Sequence, residues 1–166
     1  MEVSKGFAPV AAAGARILIL GSLPGQRSLA ADEYYAHPQN AFWTIMREIY
    51  GFDGDYASRC RSLTEHGIAL WDVLQESVRP GSMDADIRQA SAVANDFGEF
   101  FGRYPDIHST MFNGKKAEQM FRKLVPQGHY QGQQLVDLPS TSPAFAAMPV
   151  SGKLAAWQGA LARKQL

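Results

Sequence analysis

The densest group of side chains that could do chemistry lies in the sequence YYAHPQNAFW, residues 34–43. Aromatic rings, one imidazole and two side-chain amides are crowded into this block. Such groups suit a flat, neutral, hydrogen-bonding ligand such as a nucleobase. A ring can stack on any base, while a few fixed polar groups select one edge of it. The block follows an apolar run at residues 17–20 and the turn GSLPG, which together predict a buried strand and its exit.

The sequence lacks the motifs of several other kinds of catalytic or binding site. The GSLPG turn is not followed by the lysine and hydroxyl residue of a phosphate loop, and it matches neither the dinucleotide fingerprint nor the G-x-S-x-G nucleophile elbow. The four histidines are isolated from one another, without metal-ligand spacing. Cys60 is the single cysteine, which excludes an internal disulfide and a four-cysteine cluster. We therefore expect no metal site and no cofactor.

The length and the charge balance of the chain limit the number of domains and the kinds of partner. A chain of 166 residues predicts one domain, residues 1–166, with residues 1–15 as a loose N-terminal arm. Sixteen basic and sixteen acidic side chains leave no net charge, which disfavours bulk capture of nucleic acid but allows a local basic groove. No apolar run approaches the roughly 20 residues of a membrane span. We expect a cytoplasmic monomer without a membrane partner.

Short apolar runs alternate with helical patterns of about ten residues, which is typical of a parallel sheet covered on both faces. The four predicted strands are residues 17–20, 68–71, 107–112 and 134–138. The fold class is therefore α/β, a three-layer sandwich with a central four-stranded parallel sheet flanked by helices. Three of these strands exit into GSLPG, WDV and LPSTSP, and parallel strands deliver such loops to one edge. This edge is the predicted site.

Five motifs occur along the chain in an order that resembles that of a known protein family. GSLPG, YYAHPQNAFW, LWDVL with RPGS, FNGKKAE and LPSTSPA follow one another between Arg16 and Trp157. This order resembles the uracil-DNA glycosylase superfamily, and is most similar to its mismatch-specific uracil/thymine enzymes and their hypoxanthine-DNA glycosylase relatives. The resemblance implies a monofunctional glycosylase that flips a deaminated base, hypoxanthine or uracil, out of DNA and removes it by hydrolysis in base excision repair.

The resemblance also implies roles for individual residues. In the family's first motif, G-I-N-P-G, the asparagine positions the attacking water, but this chain has Leu23 there. In the hypoxanthine branch, the asparagine of the A-H-P-x-N block is the catalytic candidate, which is Asn40 here. Tyr35 matches the aromatic residue that stacks on the flipped base. The residues expected to contact the base are Ser22, Leu23, Tyr35, Asp72 and Asn113.

Asp72 stands where the family has an asparagine that reads the polar edge of the base. An ionised carboxylate only accepts hydrogen bonds. It can accept one from the ring N–H of hypoxanthine, and it repels a carbonyl oxygen. We therefore expect Asp72 to favour hypoxanthine over uracil if it faces that N–H.

The loop LPSTSPAF matches the family segment that contacts DNA. Ser140, Thr141 and Ser142 correspond to the part that grips the backbone and presses on the flipped nucleotide. Pro143, Ala144 and Phe145 lie where relatives push a side chain into the vacated stack. DNA is thus the expected partner, with the protein acting at the nucleoid.

Plainer interpretations remain open for these residues. Asn40 could cap the following helix, and Asp72 could form a turn after its strand. A protein without the family's water-positioning asparagine could also be a non-catalytic reader of mismatched or modified bases in DNA. A third possibility is an α/β protein that binds free nucleosides or nucleotides.

Overall fold

A computed structural model describes residues 3–164 of the chain, with side chains for residues 3–162. Residues 1, 2, 165 and 166 of the predicted domain lie outside this range. The strands are β1 (Val3–Lys5), β2 (Ile17–Gly21), β3 (Ile68–Asp72), β4 (Leu74–Val78), β5 (Val93–Ala94), β6 (Ser109–Asn113) and β7 (Gln134–Leu138). The helices are α1 (Gln26–Ala31), α2 (Phe42–Tyr50), α3 (Tyr56–Glu65), α4 (Phe97–Arg103), α5 (Lys115–Leu124) and α6 (Val150–Lys164).

The central sheet is parallel and has the strand order β3-β2-β6-β7, with helices flanking it. The predicted fold class is therefore confirmed. Every residue of β2, β3 and β6 is buried. Strands with both faces covered tend to be continuously apolar rather than alternating, as the Ile17–Leu20 run of β2 is, whereas β6 buries Ser109, Thr110 and Asn113 as well.

The register of the strands brings their carboxyl ends to one edge. Gly21 of β2 pairs with Asp72 of β3, and Asn113 of β6 pairs with Leu138 of β7. Because Leu20 pairs with Phe112, Gly21 and Asn113 also end at the same level. The edge predicted to form the site thus carries a glycine, a carboxyl group and an amide on three adjacent strands.

Helix ends follow the local sequence at several points. The Asp55 carboxylate accepts a hydrogen bond from the backbone N–H of Ser58 and caps α3, a position that aspartate favours. Gly51 ends α2 in the left-handed conformation, with a φ of 78°. Other predicted boundaries are wrong. The spacing of apolar residues predicts a helix from Pro38 to Tyr50, but α2 begins only at Phe42. The sequence also predicts a helix that includes Ile87, but this segment forms two 3-10 turns, Asp84–Asp86 and Gln89–Ser91.

A second, antiparallel sheet of order β1-β4-β5 was not predicted. β4 follows β3 after one residue, Val73, so the chain passes directly from the parallel sheet into this smaller one. β1 and β5 have three and two residues, too short to show a period of two in the sequence.

The loose N-terminal arm expected for residues 1–15 is also wrong for the described residues of that segment. Val3–Lys5 pairs with β4, and Val10 forms an antiparallel bridge with Leu70. The carbonyl of Phe7 accepts a hydrogen bond from the indole N–H of Trp71 at 3.0 Å. Buried polar groups of the core therefore depend on this segment, which its mixed sequence did not reveal.

Tyr34 provides a test of this role. Its buried hydroxyl donates to the carbonyl of Ala8 at 2.9 Å. Tyr34→Phe should lower the free energy of unfolding by about 1 kcal/mol, because the carbonyl loses its partner. Urea denaturation followed by tryptophan fluorescence measures this change.

Tyr104→Phe is the matched control, since within residues 3–164 only ring packing is recorded for the Tyr104 side chain. The control should change stability by less than about 0.5 kcal/mol. Equal effects of the two substitutions would contradict a structural role for residues 3–15.

Candidate active site

The floor of the site is the backbone of Gly21 at the end of β2. A Cβ atom on this residue would lie 2.6 Å from Oδ1 of Asp72 and 3.0 Å from the hydroxyl of Tyr35. Only glycine allows these two groups to approach the strand so closely. The structure thus brings together two of the residues that the sequence predicted, from parts of the chain 37 positions apart.

Tyr35 is held in an unusual conformation. Its φ of 57° lies in the left-handed region, which residues other than glycine rarely adopt. Its ring stacks on Phe42, with 4.4 Å between ring centroids, so one face is covered. Its hydroxyl is buried and has no hydrogen-bond partner within residues 3–164. Burial, together with the charge of Asp72, raises the pKa of Tyr35 against the opposing effect of the neighbouring Asn113 amide, so the hydroxyl stays protonated and can donate.

The Asp72 carboxyl group is 4% exposed, and its Oδ2 atom has no hydrogen-bond partner in the described chain. Burial and the negative charge of Asp84 raise the pKa of Asp72 to about 7, against the opposing effect of Arg79. A carboxyl group with this pKa is about half protonated at neutral pH. The sequence analysis considered Asp72 as an ionised carboxylate, since the sequence could not show how completely the group is desolvated.

Two residues that the sequence analysis did not select support the GSLPG turn. Arg79, which follows β4 and is 3% exposed, donates from its guanidinium to the carbonyls of Leu23 and Pro24. Asp84 accepts a hydrogen bond from the hydroxyl of Ser22. Arg79 belongs to the RPGS motif of the sequence, but nothing in that motif indicates which backbone atoms it binds. Burial lowers the pKa of Arg79 below its usual value, and the surrounding carboxylates oppose this shift only in part.

Leu23 is part of the hydrophobic core, with 6% exposure. Its Cδ1 atom points toward Gly6 of the N-terminal segment, 3.8 Å from where a Cβ atom on that glycine would lie. The prediction that its side chain contacts the base does not fit this placement. The position that holds the water-positioning asparagine in the resembling family is used here for packing.

Asn40 lies at the start of α2 and is partly buried. Its Oδ1 atom accepts a hydrogen bond from the backbone N–H of Phe42 at 2.9 Å. The capping role weighed from the sequence is thus present, and it orients the side chain. The catalytic role of Asn40 stays a prediction, and it requires the amide nitrogen to act while the oxygen holds the helix.

Asn113 and Thr141 form a reciprocal pair. The Asn113 amide donates to the Thr141 hydroxyl, and the Thr141 backbone N–H donates to Asn113 Oδ1, both at 2.9 Å. The carbonyl of Thr141 accepts from the N–H of Ala41 at 3.0 Å. This chain of bonds ties β6, the LPSTSP loop and the AHPQNAFW block together. Thr141 is 1% exposed, so its predicted contact with the DNA backbone does not fit this structure.

The rest of the LPSTSPAF loop faces outward. Ser140 and Ser142 are partly buried, Pro143 is exposed, and the Phe145 ring is 37% exposed although it is apolar. Lys153 of α6 donates to the carbonyl of Ser142 at 3.0 Å and lies over the Phe145 ring, 5.4 Å from its centroid. This lysine, which sequence reasoning missed, supports the loop from beneath, and burial lowers its pKa.

A surface cavity of about 530 Å³ lies beside the predicted site, between β1 and α1, with Arg79 in its wall. The space directly above Gly21 is occupied by the Tyr35 hydroxyl and the Asp72 carboxyl group. A base can therefore be recognised in front of these groups, but not against the Gly21 backbone while they hold these positions.

Comparison with known proteins identifies the fold. The model of the uracil DNA glycosylase superfamily matches residues 8–160. The chain belongs to the uracil DNA glycosylase superfamily. The same assignment explains why five short motifs, far apart in the sequence, end at one edge of the sheet.

Similar proteins include three from the genus Methanosarcina. A hypoxanthine DNA glycosylase of Methanosarcina barkeri is 38% identical over 116 residues, covering 68% of this chain and 72% of the relative. A hypoxanthine DNA glycosylase of Methanosarcina acetivorans is 33% identical over 145 residues, covering 86% and 88%. The NMR structure of a proposed uracil DNA glycosylase from Methanosarcina acetivorans is 30% identical, with a TM-score of 0.75 over 95% of this chain and 98% of that one.

Two further structural observations concern the described residues only. Among residues 3–164, no helix has both the length and the apolar character needed to cross a membrane. In the same range, no group of three or more histidine, cysteine, aspartate or glutamate side chains could hold a metal ion.

Substitution of Gly21 tests the close packing at the floor of the site. Gly21→Ala should destabilise the protein by about 1–3 kcal/mol, because the new methyl group overlaps the Asp72 carboxyl group and must displace it. Denaturation in urea measures the effect.

Gly159→Ala is the control, since Gly159 lies in α6 with open space around it. That substitution should stabilise the protein by about 0.5–1 kcal/mol through helix propensity. A Gly21→Ala protein as stable as the wild type would show that Asp72 and Tyr35 do not pack against the strand.

Proposed function

We propose that this protein is a monofunctional hypoxanthine-DNA glycosylase that also accepts uracil and acts as a cytoplasmic monomer on DNA. Membership of the superfamily supports base excision, and the names of the Methanosarcina relatives support hypoxanthine. The structural observation that carries the proposal is the group of Tyr35, Asp72 and Asn113 around the end of β2. This group combines a ring for stacking with buried polar atoms for reading one edge of a base.

Binding begins with base flipping. Extrusion of a nucleotide costs a few kcal/mol, and least for a mispaired base, so mismatches are favoured before any contact is made. Stacking on Tyr35 would recover about 1–3 kcal/mol of that cost. The exposed ring of Phe145, on a loop held by Lys153, is suited to fill the space that the base leaves.

Hydrolysis then breaks the bond between the base and the deoxyribose. The bonding electron pair leaves with the base, the sugar becomes an oxocarbenium ion, and water adds to its anomeric carbon. Stabilisation of the leaving base and placement of the water are the main requirements. No strong nucleophile is needed, in keeping with a site that has no serine–histidine or lysine arrangement. In this proposal the amide of Asn40 positions the water.

An alkali assay tests the activity directly. Labelled duplexes with hypoxanthine or uracil at one position are incubated with the protein and then heated in alkali. Strand breaks at the modified position are the expected result, since an abasic site is labile to alkali. A gel shift without breaks would instead indicate a non-catalytic reader, and preference for free nucleoside over DNA would contradict both.

Asn40 is tested by single-turnover cleavage of a hypoxanthine duplex. Asn40→Ala should lower the rate at least about tenfold, corresponding to about 1.4 kcal/mol of transition-state stabilisation. Circular dichroism confirms that the variant is folded.

Asn40→Asp separates catalysis from capping. An aspartate keeps the oxygen that accepts from Phe42 but has no amide nitrogen. If the amide nitrogen of Asn40 takes part in the reaction, the cleavage rate should fall in both Asn40→Ala and Asn40→Asp. Normal cleavage by Asn40→Asp would show that Asn40 only caps α2.

Phe145 is tested by comparing two substrates. Phe145→Ala should lower the cleavage rate in duplex DNA by about tenfold, because filling the vacated stack offsets part of an unstacking cost of a few kcal/mol. Cleavage of the same base in single-stranded DNA should change much less. Val150→Ala, at an exposed apolar residue that starts α6, is the control and should leave both rates unaltered. Equal losses on both substrates would contradict a wedge.

A further inference from the structure

Asp72 is buried in a way that disfavours its charged form. Its neighbours do not bring a cation to the carboxyl group: Gly21 of β2 pairs with Asp72 through the main chain, and the side-chain amide of Asn95 donates to the Asp72 backbone carbonyl and not to its carboxyl group. Oδ2 of Asp72 has no partner within residues 3–164. No ion pair within the described residues involves it. A carboxyl group desolvated in this way is more stable when protonated.

The charged and titratable groups around Asp72 come from three segments. Tyr34 and Tyr35 face it from the AHPQNAFW side, and burial raises the pKa of both, so they remain neutral. Asp84, held by Ser22, places a second negative charge nearby. Arg79 lowers the pKa of Asp72, but its Nη atoms donate to the carbonyls of Leu23 and Pro24 in the GSLPG turn. On balance, the surroundings favour the protonated form of Asp72 and raise its pKa to about 7.

We propose that Asp72 reads the flipped base as a neutral carboxylic acid and donates a hydrogen bond to the base carbonyl. This inference deepens the proposed glycosylase function and rests on it. Hypoxanthine and uracil both present a ring N–H beside a carbonyl. A neutral carboxyl group offers an acceptor and a donor side by side, so it pairs with both atoms, whereas a carboxylate repels the carbonyl.

The hydrogen bond that Asp72 donates also increases the rate of the reaction. As the glycosidic bond breaks, its electron pair moves into the base and negative charge develops on the carbonyl oxygen. A hydrogen bond from Asp72 strengthens with that charge and therefore stabilises the transition state more than the bound substrate. The proton stays on Asp72, and the proton lost by the attacking water ends on the released base. The protonated tyrosine hydroxyl of Tyr35 lies at the same strand end and is a second unpartnered donor.

The pH dependence of kcat/KM for a hypoxanthine duplex tests this proposal. Wild-type activity should fall by about thirtyfold between about pH 6 and pH 8.5, as one group with a pKa of about 7 loses its proton. Asp72→Asn keeps a donor beside an acceptor but cannot ionise, so its profile should change by less than about threefold over this range. Asp72→Ala has no donor and should be slow at every pH.

Asp84→Asn provides a second variant within the same cluster. Its side chain can still accept from Ser22, but the negative charge that raises the pKa of Asp72 is removed. The alkaline fall in activity should therefore begin at lower pH than in the wild type. A flat wild-type profile, a fall that persists in Asp72→Asn, or an Asp72→Asn protein inactive at every pH would overturn the proposal.

A stability measurement tests the protonation state without activity. A native pKa above the unfolded value of 3.8 stabilises the fold at acidic pH, and this contribution is lost as the pH rises to about 7. The melting temperature of Asp72→Asn relative to the wild type should therefore increase from about pH 5 to pH 8. A difference in melting temperature that stays constant over this pH range would overturn the proposal that Asp72 carries a proton. If this difference increases but no substrate is cleaved, the glycosylase function fails instead.

Discussion

The structure of the site depends on the missing side chain at Gly21. The strand ends in a glycine, so the carboxyl group of Asp72 and the hydroxyl of Tyr35 pack where a Cβ atom would otherwise lie. This packing removes both groups from water and leaves each with an unpartnered atom. Desolvation then sets the chemistry, since it keeps Tyr35 neutral and brings the pKa of Asp72 into the physiological range. The buried polar atoms are most simply explained as partners for a ligand.

Around this floor, hydrogen bonds join loops that are distant in the sequence. The Asn113–Thr141 pair and the bond from Ala41 to Thr141 hold the AHPQNAFW and LPSTSP segments against the end of β6. Arg79 fixes the GSLPG turn through two carbonyls. Several motif residues thus act on the shape of the site rather than on a substrate. This division explains why Thr141 and Leu23, both placed in the site by sequence, are buried.

The LPSTSPAF loop is buried near its start and exposed at its far end. Thr141 is buried and anchored, whereas four residues further on Phe145 exposes its ring to solvent. Lys153 connects the two ends of this segment, because it binds the Ser142 carbonyl and lies over the ring. An anchored base with an exposed apolar tip is a suitable arrangement for a side chain that enters a base stack.

The sequence by itself determined the parallel sheet, because runs such as Ile17–Leu20 and Ile68–Trp71 alternate with helical patterns, and the order of the motifs identified the superfamily. It did not show the second sheet or the pairing of Val3–Lys5 and Val10, since strands of two or three residues have no readable period. Only the tertiary structure decided the state of Asp72. A pKa depends on burial and on charges such as that of Asp84, which comes close through folding and not through its position in the chain.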